Sequence, residues 1–156
     1  MNSKKALHWI CNLLDGKQVP YSICGGLAAI SYGSKRELND IDIFIPDRYF
    51  DEIFPSIKEF ITYGPFSYKD NYWQVKYAQL SYYDQKIEIG SDKNVMIFDT
   101  ITNTWRPLTI DFDNTVLKTV YGVKVKVMDK NSLISYKTML SRAVDIEDIG
   151  YINLFA

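Results

Sequence analysis

The stretch from Tyr21 to Ile45 reads YSICGGLAAISYGSKRELNDIDIFI. An apolar run over 19–24 ends at two glycines, and a second run, over 40–45, is rich in β-branched residues and stops at Pro46. Each run predicts a short strand. The apolar residues from Leu27 to Tyr32 predict a short helix. The stretch therefore predicts a strand, a tight glycine turn, a helix and a second strand.

Two acids stand on one face of the second predicted strand. Asp40 and Asp42 are separated by one residue, so both carboxylates point to one side of the strand while Ile41 and Ile43 point to the other. Close carboxylates repel each other unless a cation neutralises them, and Mg²⁺ takes oxygen ligands from carboxylates and phosphates. Asp40 and Asp42 are therefore candidate metal ligands. The alternative is a pair of acids on an exposed strand face.

A glycine pair, Gly25 and Gly26, stands where the first predicted strand turns into the helix. Glycine lets the backbone approach an anion closely, and the start of a helix presents free N–H groups to phosphate. The pair is a candidate phosphate-binding turn, although an ordinary tight turn uses the same residues. Together with the acids on the next strand, it would hold the two ends of a nucleoside triphosphate.

The composition indicates one compact soluble domain. The chain has 156 residues, of which 47% are hydrophobic and 24% charged, and its formal net charge of −1 gives no basic footprint for duplex DNA. His8 is the only histidine, and Cys11 and Cys24 form no Cys-x-x-Cys pair, so neither a zinc site nor a disulfide framework is predicted. No run approaches the roughly 20 apolar residues that span a bilayer. We expect a cytoplasmic protein.

The periodicity of the whole chain predicts an α+β fold, a mixed sheet with flanking helices. Predicted helices lie over about 4–15, after Asp47 with a kink or restart at Pro55, from Asp129 to about Arg142, and after Asp145. Further predicted strands lie at 75–82 and 86–89, joined as a hairpin, and at 96–98, 105–109 and 123–127. We expect a single domain over 1–156, with a core over about 1–128 and a short helical segment over about 129–156.

Two other groups of conspicuous residues receive plainer interpretations. Asp111 and Asp113 repeat the Asp-x-Asp spacing, but no glycine turn precedes them, and they are interpreted as loop acids. Aromatic residues crowd the predicted hairpin. Cross-strand packing is favoured for them over stacking on a base. These aromatic residues are Tyr72, Trp73, Tyr77, Tyr82 and Tyr83.

The glycine pair and the acid pair resemble the signature of the DNA polymerase β-type nucleotidyltransferase superfamily. Gly25-Gly26 is followed after thirteen residues by Asp40-Ile-Asp42, with Tyr32-Gly-Ser-Lys-Arg36 between them. The chain is most similar to the small minimal, antibiotic-modifying and abortive-infection-toxin members. The closing segment of the abortive-infection type is similar to a spaced set of residues near the end of this chain, namely Lys137-x4-Arg142-x2-Asp145-x2-Asp148.

The resemblance implies a metal site of three carboxylates. Asp40 and Asp42 would bind two Mg²⁺ ions, for which Mn²⁺ could substitute. Glu88 would be the third carboxylate, would complete one metal site and would help to deprotonate the acceptor. The alternative for Glu88 is a glutamate that faces solvent.

The resemblance also implies a nucleotide-binding set. Gly25 and Gly26 would hold the β- and γ-phosphates, and Ser34, Arg36 and Lys137 would contribute to binding the nucleotide. Many members of the superfamily carry a serine after the first glycine, where this chain has Gly26, so a hydroxyl contact to phosphate is missing. The alternatives are a salt bridge for Arg36 and an exposed position on a helix for Lys137.

The activity that the resemblance implies is metal-dependent nucleotidyl transfer. A nucleoside monophosphate, AMP from ATP, would move to an acceptor hydroxyl with release of pyrophosphate. The acceptor would be a small molecule such as an antibiotic, a protein side chain or a tRNA end, and a homodimer or partner protein could complete its site. Neither a membrane nor duplex DNA is an expected partner. Three alternatives stay open: a catalytically inactive nucleotide-binding or toxin–antitoxin-type module, a sugar-nucleotide transferase, and nucleotide hydrolysis without an acceptor.

Overall fold

A computed structural model of the chain describes residues 2–154. Within that range nine strands form one mixed sheet, against which five α-helices pack. The strands are β1 (Ser22–Cys24), β2 (Asp40–Ile45), β3 (Ile61–Lys69), β4 (Trp73–Tyr82), β5 (Gln85–Ser91), β6 (Met96–Asp99), β7 (Thr104–Pro107), β8 (Val116–Val120) and β9 (Val123–Val127). The helices are α1 (Asn2–Gly16), α2 (Gly25–Ser31), α3 (Phe50–Ile57), α4 (Lys130–Leu140) and α5 (Ala143–Asn153). The predicted α+β class is confirmed.

The strand that carries the acid pair lies near the middle of the sheet. The strand order is β7-β6-β4-β5-β2-β1-β9-β8, and β3 pairs with β4. On one side β2 is antiparallel to β1, and on the other it is parallel to β5. Ile41, Ile43, Ile87 and Ile89 of β2 and β5 are no more than 1% exposed. Their alternation with polar residues directs those polar side chains to the opposite face of the sheet.

Several predicted elements are confirmed. The structure has β2 with the predicted bounds, the hairpin of β4 and β5, and strands at 96–99 and 123–127. Asp129 caps α4, because its carboxylate accepts a hydrogen bond of 3.0 Å from the backbone N–H of Ser132. None of the helices within residues 2–154 is long and apolar enough to cross a membrane.

Other element bounds differ from the prediction. The first helix begins at Asn2 and ends at Gly16, and α3 continues through Pro55 without a restart. The first strand covers three residues only, and α2 begins directly at Gly25, so no separate turn lies between them. The last helix begins at Ala143, before Asp145.

Two strands were missed by the prediction, β3 and β8. Each forms one side of a hairpin, β3 with β4 and β8 with β9. Every residue of β3 is at least partly exposed, and in β8 only Val120 is buried. β3 and β8 therefore lack the alternation of buried and exposed residues from which strands were predicted.

Candidate active site

Three carboxylates meet on one face of β2 and β5. The two strands are parallel, and their register places Asp42 beside Glu88 and Asp40 beside Lys86. One carboxylate oxygen from each of Asp40, Asp42 and Glu88 can be chosen so that all three oxygens lie within 4.8 Å of one another. All three side chains are partly buried. We call Asp40, Asp42 and Glu88 the acid triad.

Three charged carboxylates are energetically unfavourable at this place, because they are partly buried and repel one another. Burial raises the pKa of Asp42 well above its ordinary value, and the charges of Glu88 and Asp40 raise it further. Burial also raises the pKa of Asp40, an effect that the ammonium of Lys86 opposes. A cation placed among these groups therefore gains a favourable interaction with each of them.

A lysine that was not predicted as a site residue already contacts the acid triad. The ammonium of Lys86 lies 3.1 Å from Glu88 Oε1 and 3.8 Å from Asp40 Oδ2. Burial opposes the charge of Lys86, but the hydrogen bond and charge of Glu88 outweigh it and raise the pKa of the lysine. The signal in the sequence was the spacing, because Lys86 precedes Glu88 by two residues and so shares its face of the strand.

Gly25 is required by the close approach of the acid triad to α2. Its φ is +61°, and a Cβ atom built there would overlap the carboxylate of Asp42. The Gly25 N–H donates a hydrogen bond of 2.7 Å to the hydroxyl of Tyr136 on α4. Gly25 thus provides space beside Asp42, and its own N–H is bonded to Tyr136 in this structure.

The second glycine, Gly26, leaves room for a guanidinium group. A Cβ atom at Gly26 would overlap the end of the Arg36 side chain. The Nε atom of Arg36 lies 3.0 Å from Oδ1 of the buried Asp148, so the salt-bridge alternative for Arg36 is confirmed. The space that a serine side chain would need after the first glycine is therefore occupied in this protein by Arg36.

Behind this arginine lies a second cluster of charges. The ammonium of Lys137 is 3.0 Å from Asp148 and 3.3 Å from Asp145, and Arg142 lies 2.7 Å from Asp145. The hydroxyl of Ser34 donates a hydrogen bond of 2.8 Å to Asp148. We call Lys137, Asp145, Asp148, Arg142 and Arg36 the buried ion network.

The buried ion network changes the interpretation of Lys137 and Ser34. Lys137 is only 1% exposed, and Asp145 and Asp148 are fully buried. The alternative of an exposed lysine on a helix is therefore wrong. Ser34 and Lys137 both hold Asp148 in place, and neither lines the pocket that the acid triad faces.

The pocket in front of the acid triad has a volume of about 320 Å³. Aromatic side chains line this pocket together with the acids. Tyr68 and Tyr77 pack edge to face at 5.1 Å, as cross-strand packing predicts, and both also line the pocket. Tyr82 instead stacks on Trp9 at 4.3 Å, away from this pocket. We call the lining aromatic residues the aromatic wall; they are Phe44, Tyr68, Trp73, Tyr77 and Tyr136.

Comparison with known proteins gives matches to solved structures. No protein-family model and no curated protein matches the chain. A provisionally assigned nucleotidyltransferase from Thermotoga maritima superposes with a TM-score of 0.73 at 20% identity, over 97% of this chain and 93% of that one.

Two further similar structures are an antibiotic adenylyltransferase and an antibiotic-resistance factor. The lincosamide adenylyltransferase LnuA, bound to lincomycin, gives a TM-score of 0.64 at 15% identity over 97% of both chains. The enzyme ANT(2″)-Ia, in complex with adenylyl-2″-tobramycin, gives 0.64 at 14% identity over 99% of this chain and 89% of that one. The predicted resemblance is thus confirmed for the fold: the chain has the fold of the nucleotidyltransferases over nearly its whole length.

Proposed function

We propose that this protein is a metal-dependent nucleotidyltransferase that transfers AMP from ATP to a hydroxyl group of a small molecule. The observation that carries the proposal is the acid triad beside Gly25, within a chain that has the nucleotidyltransferase fold. A protein that only binds nucleotides has no need of three convergent carboxylates, whose repulsion works against folding.

The acid triad suits a divalent metal ion. Mg²⁺ and Mn²⁺ prefer oxygen ligands, and Asp40, Asp42 and Glu88 offer three carboxylates whose oxygens lie within 4.8 Å of one another. Bound there, two such ions would act as Lewis acids toward the attacking and leaving oxygens. Asp40 and Asp42 would hold the ions from β2, and Glu88 would complete one site from β5.

Glu88 also has a role in proton transfer under this proposal. It faces the pocket from the strand next to β2, at the position where an acceptor hydroxyl could approach the acid triad. A carboxylate within hydrogen-bond reach of that hydroxyl can accept its proton as the oxygen attacks the α-phosphorus. The bond to pyrophosphate then breaks, and pyrophosphate leaves with the negative charge.

The nucleotide would lie in the pocket that the acid triad and Gly25 line. Gly25 lines this pocket without a side chain, whereas Gly26 is buried and lies against the guanidinium of Arg36. Ser34 and Lys137 would support this arrangement through Asp148. Adenine is proposed as the base because LnuA is named as an adenylyltransferase and ANT(2″)-Ia was solved with an adenylylated tobramycin.

A small molecule is the proposed acceptor. The structure of LnuA contains lincomycin, and that of ANT(2″)-Ia contains an adenylylated tobramycin. In this protein the aromatic wall lines the same pocket as the acid triad and offers flat apolar surfaces to a ring of an acceptor. A second subunit or a partner protein that completes the acceptor site remains part of the proposal.

The proposal is tested by transfer of a radioactive label. The protein is incubated with α-labelled ATP, CTP, GTP or UTP, Mg²⁺, and a panel of hydroxyl-bearing small molecules that includes lincosamides and aminoglycosides. We expect a labelled product and pyrophosphate with ATP, and neither with Asp42→Ala. If no product depends on Asp42 with any nucleotide or with cell extract as the source of acceptor, the inactive binding module replaces the enzyme.

A further inference from the structure

The position of Lys86 is not explained by the proposed reaction as it stands. A lysine on an outward-facing strand position usually extends into solvent, but Lys86 turns toward two members of the acid triad. Its side chain is 40% exposed, so it lies at the rim of the pocket and has room to move.

Lys86 neutralises the charges of the three carboxylates unequally. Its ammonium contacts Asp40 and Glu88, whereas Asp42 interacts mainly with the other two carboxylates. Among the described residues, Lys86 is thus the cation that contacts the acid triad directly. A divalent ion bound to Asp40 and Glu88 needs the oxygens that Lys86 now contacts, and two cations repel each other at such distances.

A second lysine of the chain has the same local properties away from the acid triad. The ammonium of Lys76 lies 3.1 Å from Asp47, and its side chain is 37% exposed. It matches Lys86 in the length of its ion pair, in exposure and in its location on a central strand of the sheet. Lys76 therefore provides a control for general effects of removing one positive charge.

We propose that Lys86 is a built-in counter-cation of the acid triad, which a divalent metal ion displaces and which then pairs with the phosphates of the bound nucleotide. This inference rests on the proposed function, because it takes the acid triad as the metal site. Lys86 and Gly25 line the same pocket, so an ammonium expelled from the acids faces the space in which the triphosphate would lie.

The displacement has opposite consequences for two ligands. Metal ions compete with Lys86, so its removal strengthens their binding. The nucleotide gains an ionic contact from Lys86, so the same removal weakens nucleotide binding. A residue with only a structural role would not change the two affinities in opposite directions.

The experiment measures binding in place of turnover. Mn²⁺ alone is titrated into the whole protein and followed by electron paramagnetic resonance, and α,β-methylene ATP, which cannot be cleaved at the reacting bond, is titrated by calorimetry at saturating Mg²⁺. The variants are Lys86→Met, Lys86→Arg and the control Lys76→Met. For Lys86→Met we expect about tenfold tighter Mn²⁺ binding and about tenfold weaker binding of the analogue. Lys86→Arg keeps the charge and should behave as the wild type, as should Lys76→Met.

Two results would overturn the inference. One is an unchanged or weaker affinity of Lys86→Met for Mn²⁺; the other is an equal change in Lys76→Met, which would indicate a general charge effect. The proposed function is tested separately by Asp42→Asn in the same titration. If Asp42→Asn binds Mn²⁺ as the wild type does, the acid triad is not the metal site and the proposed function fails with it. If only Asp42→Asn changes the affinity, the metal site stands and the role of Lys86 is wrong.

Discussion

The acid triad and the buried ion network differ in how completely their charges are balanced. The acid triad has three carboxylates and one contacting ammonium, and its side chains are partly exposed at a pocket. The buried ion network has two fully buried carboxylates, which lie against the cations of Lys137, Arg142 and Arg36. An excess of negative charge at an opening indicates a site for a cationic ligand. Fully buried carboxylates that each contact cations indicate a structural role.

The largest expected effect is the loss of activity when the acid triad loses one charge. Asp42→Asn should lower nucleotidyl transfer about a thousandfold, because metal ions contribute several kcal/mol of charge stabilisation in the transition state. Its thermal stability should not fall, since the substitution removes repulsion among carboxylates. Transfer assays and thermal unfolding measure the two quantities. The control is Asp113→Asn, an exposed acid of the second Asp-x-Asp pair, which should change neither.

Removing a charge from the buried ion network should lower the stability of the protein, whereas removing one from the acid triad should not. Lys137→Met leaves the carboxylates of Asp145 and Asp148 buried without the ammonium that they share. Removing one partner of a buried ion pair should lower the free energy of unfolding by about 3–5 kcal/mol. Urea denaturation measures this loss. Lys86→Met is the matched control. It also removes the ammonium of a lysine, but of one that contacts the partly exposed acid triad. Equal unfolding free energies for the two variants would contradict the distinction between the two clusters.

Gly25 stands beside the acid triad and should be sensitive in both stability and activity. Gly25→Ala places a side chain at positive φ and against Asp42, so a loss of about 1–3 kcal/mol of unfolding free energy is expected, together with reduced transfer. Gly16→Ala is the control, since nothing lies within 4 Å of a Cβ atom at that glycine. That variant should be neutral or slightly stabilising. A Gly25→Ala protein with the stability and activity of the wild type would show that α2 can move away from Asp42.

The smallest expected effect is a dependence of stability on pH in the metal-free protein. Asp42 has a raised pKa in the folded state relative to its ordinary 3.8, so folding binds a proton between these two values. The stability contributed by this proton falls as the pH rises through the pKa of the folded state. With EDTA present, Tm of the wild type should decrease more than Tm of Asp42→Asn as the pH rises above the ordinary aspartate pKa of 3.8. Parallel curves for the two proteins would contradict the raised pKa.

The acid triad could be predicted because its members obey a rule of local geometry. Asp40 and Asp42 share a face through the two-residue period of a strand, and β2 has the predicted bounds. The position of Glu88 came from the resemblance, and the parallel register of β2 and β5 places it beside Asp42. Lys86 and Glu88 are also two residues apart, like Asp40 and Asp42. The contact of Lys86 with Asp40, however, depends on the register of β2 and β5, which no local pattern reveals.

The buried ion network could not be predicted in its physical role. The spacing of Lys137, Arg142, Asp145 and Asp148 was recognised as a similarity to a family segment, but their burial follows from the packing of α4 and α5 against each other and against α2. A lysine on a helix is ordinarily exposed. Only the tertiary structure brings Lys137 and the two aspartates out of water together.

The arrangement of Arg36 over Gly26 has a consequence for sequence variation among homologues. A guanidinium group fills the volume that a side chain at position 26 would occupy, and Asp148 fixes it there. Serine at 26 and arginine at 36 therefore exclude each other in this geometry. We expect the two positions to covary, so that a homologue with serine at the first position has a smaller residue at the second, while the acid at the position of Asp148 is retained as the partner of Lys137.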